Sequence, residues 1–174
     1  QRRGPAARAV FSREMKETHT ILAPQMSPIH FTILEEAFRL SGFRLEILRE
    51  ADRAAVDTGL TFVNNDACYP SIMVTGQLIS ALRSGRYDLS RTACLITQTG
   101  GGCRATNYIA FIRRALADAG MPHVPVVSLS AQGLEKNPGF RLGLPLVLRG
   151  FMALVYGDLL MRMLHRVRPY EHMP

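Results

Sequence analysis

The stretch RTACLITQTGGGCRATNYIAFIRRALADAG, residues 91–120, constrains the fold more than any other part of the chain. Its first part, RTACLITQ, is a continuous apolar run bounded by polar residues, which is what a strand covered on both faces requires. Three glycines and a cysteine follow, and then Ile109, Ile112, Leu116 and Ala119 recur at helical spacing up to Gly120. A buried strand that turns through glycine into a helix is the unit of a parallel sheet with helices on both faces.

The rest of the chain repeats that unit. THTILAP is a short strand ended by Pro24, and SPIHFTILEEAFRLSGF reads as a helix with Ser27 as N-cap, Pro28 at the first position and Gly42 as the stop. RLEIL, residues 44–48, is a second strand, DRAAVDTG is a short helix or turn ended by Gly59, and LTFVNN is a candidate further strand. SIMVTGQLISALRSG carries Ile72, Leu78, Ile79 and Leu82 on a helical face and stops at Gly85, and VPVVSLS is the last strand. The expected fold is α/β: a three-layer, mostly parallel sheet of about four strands with helices on both faces, Rossmann/flavodoxin-like, plus C-terminal helices. Residues 1–10, with no initiator methionine, read as a linker or tail, and 11–174 as a single domain excised from a larger protein.

The chain carries a net charge of +7, yet of its 21 basic residues only Lys16 and Lys136 are lysines. The arginines are scattered singly through apolar segments, without the basic runs and interleaved aromatics of a nucleic-acid surface, so nucleic acid is not an expected partner. The most apolar stretch, residues 142–164, contains Arg149, Asp158 and Arg162, which are expensive at bilayer depth; it is expected to be a buried helix and not a membrane span. The three cysteines match neither a disulfide framework nor a zinc ribbon, and a cytoplasmic location is expected.

Cys94 sits mid-strand, where a cysteine is a small hydrophobe. Cys68 and Cys103 differ: each precedes a helix, where the positive end of the helix dipole favours a thiolate. In a parallel sheet such turns gather at the carboxyl edge, so two cysteines distant in sequence can meet around one ligand. Gly100, Gly101 and Gly102 permit close backbone approach and offer amides to an anion, whether a sulfide, a thiolate or a phosphate. Asn65, Gln98 and Asn107 add polar groups in the same turns, and complete the expected cofactor-binding set. Gly100, Gly102 and Ala105 also match a dinucleotide fingerprint, but the acid expected about 20 residues on is absent. His30 reads as a satisfied or exposed histidine and Glu35 and Glu36 as a solvated helix face.

The segments GLTFVNNDACYPSIMVTGQ, QTGGGCRATNYIAFIRRAL, NPGF and RPYE together resemble the C-terminal region of the large acyl-CoA dehydratase activase-related proteins, which are similar to the activator and cluster-bearing subunits of 2-hydroxyacyl-CoA dehydratases. The resemblance runs from about Phe11 to Glu171. It implies a 4Fe-4S-associated domain of an ATP-dependent activator system that takes part in low-potential electron transfer, with Cys68 and Cys103 as metal ligands and further ligands from outside this chain. It also implies partners: the remaining domains of a larger polypeptide, including an ATPase activator module, together with acyl-CoA and a second copy in a homodimer. The activator's ATP-binding motifs are absent, so this chain is not expected to hydrolyse ATP. The alternatives are a non-catalytic interaction module of a multidomain protein and a phosphate- or CoA-binding glycine-loop domain.

Overall fold

A computed structural model of the chain describes residues 8–98, 107–130 and 137–171. Among these residues four strands form one parallel sheet in the order β2-β1-β3-β4: β1 (Thr20–Pro24), β2 (Arg44–Leu48), β3 (Thr92–Gln98) and β4 (Val126–Ser130). The helices are α1 (Met15–Thr18), α2 (Pro28–Arg39), α3 (Arg53–Phe62), α4 (Tyr69–Arg83), α5 (Tyr108–Asp118) and α6 (Leu144–Val167). The fold is the expected α/β arrangement, and its strand order is that of flavodoxin-like doubly wound sheets.

Strand alternation divides the core in two. On one face Leu22, Leu48, Cys94, Ile96 and Val126 pack with Leu78 and Ile79 of α4 and Ile112 and Leu116 of α5. On the other, Ile21, Ala23, Leu45, Ile47, Ala93, Leu95 and Val127 pack with Phe11, Phe38, Phe43 and Leu146. Because successive side chains point to opposite faces, covering both faces demands that inner strands be apolar in their middles, as Ile21, Leu22 and Ala23 of β1 and Ala93, Cys94, Leu95 and Ile96 of β3 are.

Both outer strands have a backbone group engaged by a helix side chain. Glu35 accepts the Ile47 amide of β2 (2.9 Å) and pairs with Arg49, while Arg113 donates to the Val126 carbonyl of β4 (3.2 Å). Such contacts blunt sheet edges against pairing with other chains. Glu35 is therefore a half-buried structural group, not part of a solvated face; Glu36 is exposed.

Three further expectations change. LTFVNN is not a strand: Leu60, Thr61 and Phe62 complete α3, which runs straight through Gly59. Gly59 is no stop: a Cβ there would lie 2.1 Å from the Ile72 carbonyl oxygen of α4, and a Cβ at Gly76 of α4 would lie 1.8 Å from the Ala55 carbonyl oxygen. These glycines let α3 and α4 pack backbone to backbone. Finally, the apolar C-terminal stretch is one 24-residue helix, α6, and it is mostly exposed: only Leu146, Ala153 and Gly157 are buried. Those three form a narrow stripe against α2, where Gly157 lies directly under the His30 ring.

Candidate functional site

β1 leads through α2 to β2 on one side, and β3 leads through α5 to β4 on the other. These two neighbouring strands thus send their chains in opposite directions at the carboxyl edge, which opens the crevice where doubly wound folds bind ligands. A cleft of about 470 Å³ lies there, lined by Gln25 and Met26 after β1, Tyr69, Pro70, Met73 and Val74 of α4, Thr97 of β3 and Tyr108 of α5. The lining is mostly apolar. Thr97 Oγ1 donates to Met26 Sδ (3.8 Å), and Gln25 Oε1 is buried without a hydrogen-bond partner among the described residues.

Cys68 stands beside this cleft as the N-cap of α4. Its side chain does not cap the helix; its carbonyl accepts from Ser71 N (2.9 Å) and Ser71 Oγ (2.7 Å) instead. Sγ is left to meet Tyr108 Oη at 3.1 Å. The tyrosine hydroxyl donates to the thiolate, and this is the main reason that the Cys68 thiol titrates below the ordinary cysteine range; desolvation opposes it and the Ser71 contacts add to it. Cys68 is half-buried, which leaves the sulfur reachable.

Cys94 is the opposite case. It is fully buried in β3, and burial pushes its thiol up to about 12. It behaves as the small hydrophobe the sequence implied.

Of the other sequence candidates, Asn107 is the exposed N-cap of α5 and Asn65 is exposed in the loop between α3 and α4. Gln98 ends β3 in register with Ser130. Gly100, Gly101, Gly102 and Cys103 lie outside the described residues, so the pairing of Cys103 with Cys68 is not among the contacts of the described site. The helix expected from Cys103 onward begins, in its described part, at Tyr108, whose hydroxyl meets Cys68 Sγ. Among the described residues no three His, Cys, Asp or Glu side chains converge as a metal-binding group.

The sequence reading did not single out Tyr108, Gln25, Met26 or Met73. Met73 and Tyr108 lie in the two cysteine-bearing segments without a role of their own there, Gln25 and Met26 lie outside them, and their convergence depends on α4 and α5 meeting over the β1–β3 crevice. His30 is buried and satisfied: Nδ1 lies 2.8 Å from Ser27 Oγ and Nε2 lies 3.0 Å from Asp158 Oδ1. It links α2 to α6 and stands apart from the cleft lining.

Compared with protein-family models, with curated protein sequences and with solved structures, the chain matches none.

Proposed function

We propose that this domain presents cysteine thiolates at its switch-point cleft to a 4Fe-4S cluster, as a module of a 2-hydroxyacyl-CoA dehydratase-like electron-transfer system. The observation that carries the reading is Cys68: a half-buried thiol with a lowered pKa, at a helix start on the carboxyl edge, hydrogen-bonded to Tyr108, the first residue of α5. Cys103 lies five residues before Tyr108 in the sequence.

The described residues fit one corner of such a cluster. Cys68 supplies a thiolate, Tyr108 supplies an O–H donor to sulfur, and Met26, Met73 and Val74 give the neighbouring cleft wall an apolar lining. Both a donor to the sulfur and a dry surround are groups that tune sulfur-ligated iron. The other corners require Cys103 and ligands beyond the described set. When bound, a 4Fe-4S cluster supplies low-potential one-electron transfer; Cys68 and Tyr108 hold and orient a thiolate for it.

The test is anaerobic reconstitution with iron and sulfide, followed by iron and sulfide analysis and EPR of the reduced protein. The reading expects bound iron that falls at least severalfold in Cys68→Ser and in Cys103→Ser and is retained in Cys94→Ser. Iron binding unaffected by Cys68→Ser would remove its basis.

A further inference from the structure

Ser27, His30 and Asp158 form a hydrogen-bonded chain that the cluster reading does not use. Ser27 Oγ lies 2.8 Å from His30 Nδ1, and His30 Nε2 lies 3.0 Å from Asp158 Oδ1. A carboxylate only accepts, so Nε2 carries the ring proton and Nδ1 presents its lone pair to the Ser27 hydroxyl. That is the tautomer a general base toward this hydroxyl needs. The ring is buried and α6 holds it in place: a Cβ at Gly157 would stand 2.4 Å from His30 Cδ2, so glycine is what admits the helix so close. A nucleophile within hydrogen-bond reach of a base, itself oriented by a third group, is the arrangement that activates a serine.

The surroundings of Ser27 suit that role. It is the N-cap of α2, yet its side chain does not cap the helix and turns to His30 instead. It is half-buried between the exposed Met26 and Pro28, at the carboxyl edge just beyond β1. The first helical bond runs from Phe31 N to the Ser27 carbonyl (2.9 Å), which leaves the Ile29 and His30 amides of the first turn without an intrahelical acceptor. Amides at the positive end of a helix suit the charge that develops on a carbonyl oxygen under attack. Met26 and Phe31, which flank the Ser27–His30 turn in sequence, also line a small apolar pocket of about 40 Å³ together with Leu34 and Leu129.

We propose that Ser27 is the nucleophile of an ester-hydrolase site, with His30 as its general base, Asp158 as the group that positions His30, and an ester of a short apolar carboxylic acid as substrate. Ser27 Oγ bonds to the carbonyl carbon as its proton passes to His30 Nδ1. The bond from that carbon to the leaving alcohol oxygen then breaks, and the oxygen takes the proton from Nδ1. Water attacks the acyl-serine in turn and gives a proton to Nδ1; Nδ1 returns it to Ser27 Oγ as the acid leaves. The Asp158 carboxylate balances the imidazolium charge in each half of the cycle. The short acyl group follows from the size of the pocket beside the serine.

The proposal is independent of any cluster and is tested on the full chain without added metal, with circular dichroism to confirm folding. The probes are a fluorophosphonate, which reacts with activated serines, and 4-nitrophenyl acetate, whose acetyl group peptide mapping by mass spectrometry places on the residue that received it. The expected result is a fluorophosphonate adduct and a transient acetyl group on Ser27, with repeated turnover that falls at least about tenfold in Ser27→Ala. His30→Gln should slow the labelling of Ser27 by about a hundredfold or more, as loss of a general base does. Asp158→Asn should slow it by about tenfold, and Asp158→Glu, which keeps the carboxylate, should stay within about threefold of the parent. Ser27→Ala and Asp158→Asn change a half-buried and an exposed side chain, and so decide the matter if His30→Gln, at a buried position, fails to fold. A folded chain whose Ser27 takes neither probe overturns the proposal. So does labelling indifferent to Asp158→Asn, or an acetyl-Ser27 that never turns over.

Discussion

Replacing Gly76 with alanine puts a methyl group where α3 and α4 touch, and the structure sets the size of the conflict. The added carbon would stand 1.8 Å from the Ala55 carbonyl oxygen and 2.9 Å from the Gly59 amide nitrogen, against the 3.4 Å at which ordinary contact begins. Both obstacles are backbone, so no side chain can swing away and the two helices must separate. Overpacking of this kind costs about 3 kcal/mol, and the better helix propensity of alanine returns about 1 kcal/mol, which leaves a net loss of about 2 kcal/mol. For a chain of this length that lowers the melting temperature by about 4–8 °C. Urea unfolding followed by far-ultraviolet circular dichroism measures it, with Gly150→Ala as the control: nothing lies within 4 Å of a Cβ at that position in α6, so this variant should gain about 0.5–1 kcal/mol. A Gly76→Ala protein as stable as its parent would refute the claim that α3 and α4 pack backbone to backbone at Gly59 and Gly76.

Other outcomes follow from the same geometry. In Tyr108→Phe the thiolate of Cys68 loses its main stabilising donor, so the midpoint of the pH dependence of its alkylation, read by mass spectrometry, should move upward; an unchanged midpoint would remove the tyrosine's role. Cys94, with its thiol pushed up to about 12, should resist alkylation in the native state and react only on unfolding. His19 is held below its ordinary pKa by burial and by Arg91, so the unfolded chain binds the proton more readily; stability should fall as pH drops below about 6.5, and His19→Gln should flatten that loss in pH-dependent urea melts. Ile112→Ala, at a fully buried position between α5 and the sheet, should cost about 2–5 kcal/mol in the same assay.

Much of the fold was legible because local chemistry and global packing agree. RLEIL has the bounds read for β2, and the Ser27, Pro28 and Gly42 signals bracket α2, with Gly42 at a φ of +81° where only glycine sits comfortably. Glycine misled where its job was contact. Gly59 looks like a helix stop from its neighbours, and only the nearness of Ile72 shows that it makes room for α4. The short apolar run after it fits strand or helix equally, because periodicity cannot separate the two over so few residues. α6 fits the pattern of a buried helix because it is apolar on all sides, yet only the stripe of Leu146, Ala153 and Gly157 is buried, and hydropathy does not separate a helix covered on one side from one covered on all. The cleft's location followed from parallel topology. Its partners did not, since the contact between Tyr108 and Cys68 spans 40 residues and belongs to no motif.

The proposed cluster role requires that Cys68 and Cys103 bring their sulfurs within reach of one ligand. A short bis-alkylating reagent applied to the folded Cys94→Ser protein under anaerobic conditions, with peptide mapping by mass spectrometry, reads that relation without requiring a cluster. The account predicts one dominant cross-link joining the peptide of Cys68 to that of Cys103, lost when the protein is unfolded before treatment. Two cysteines alkylated separately in the native state, with no joined peptide, would contradict it.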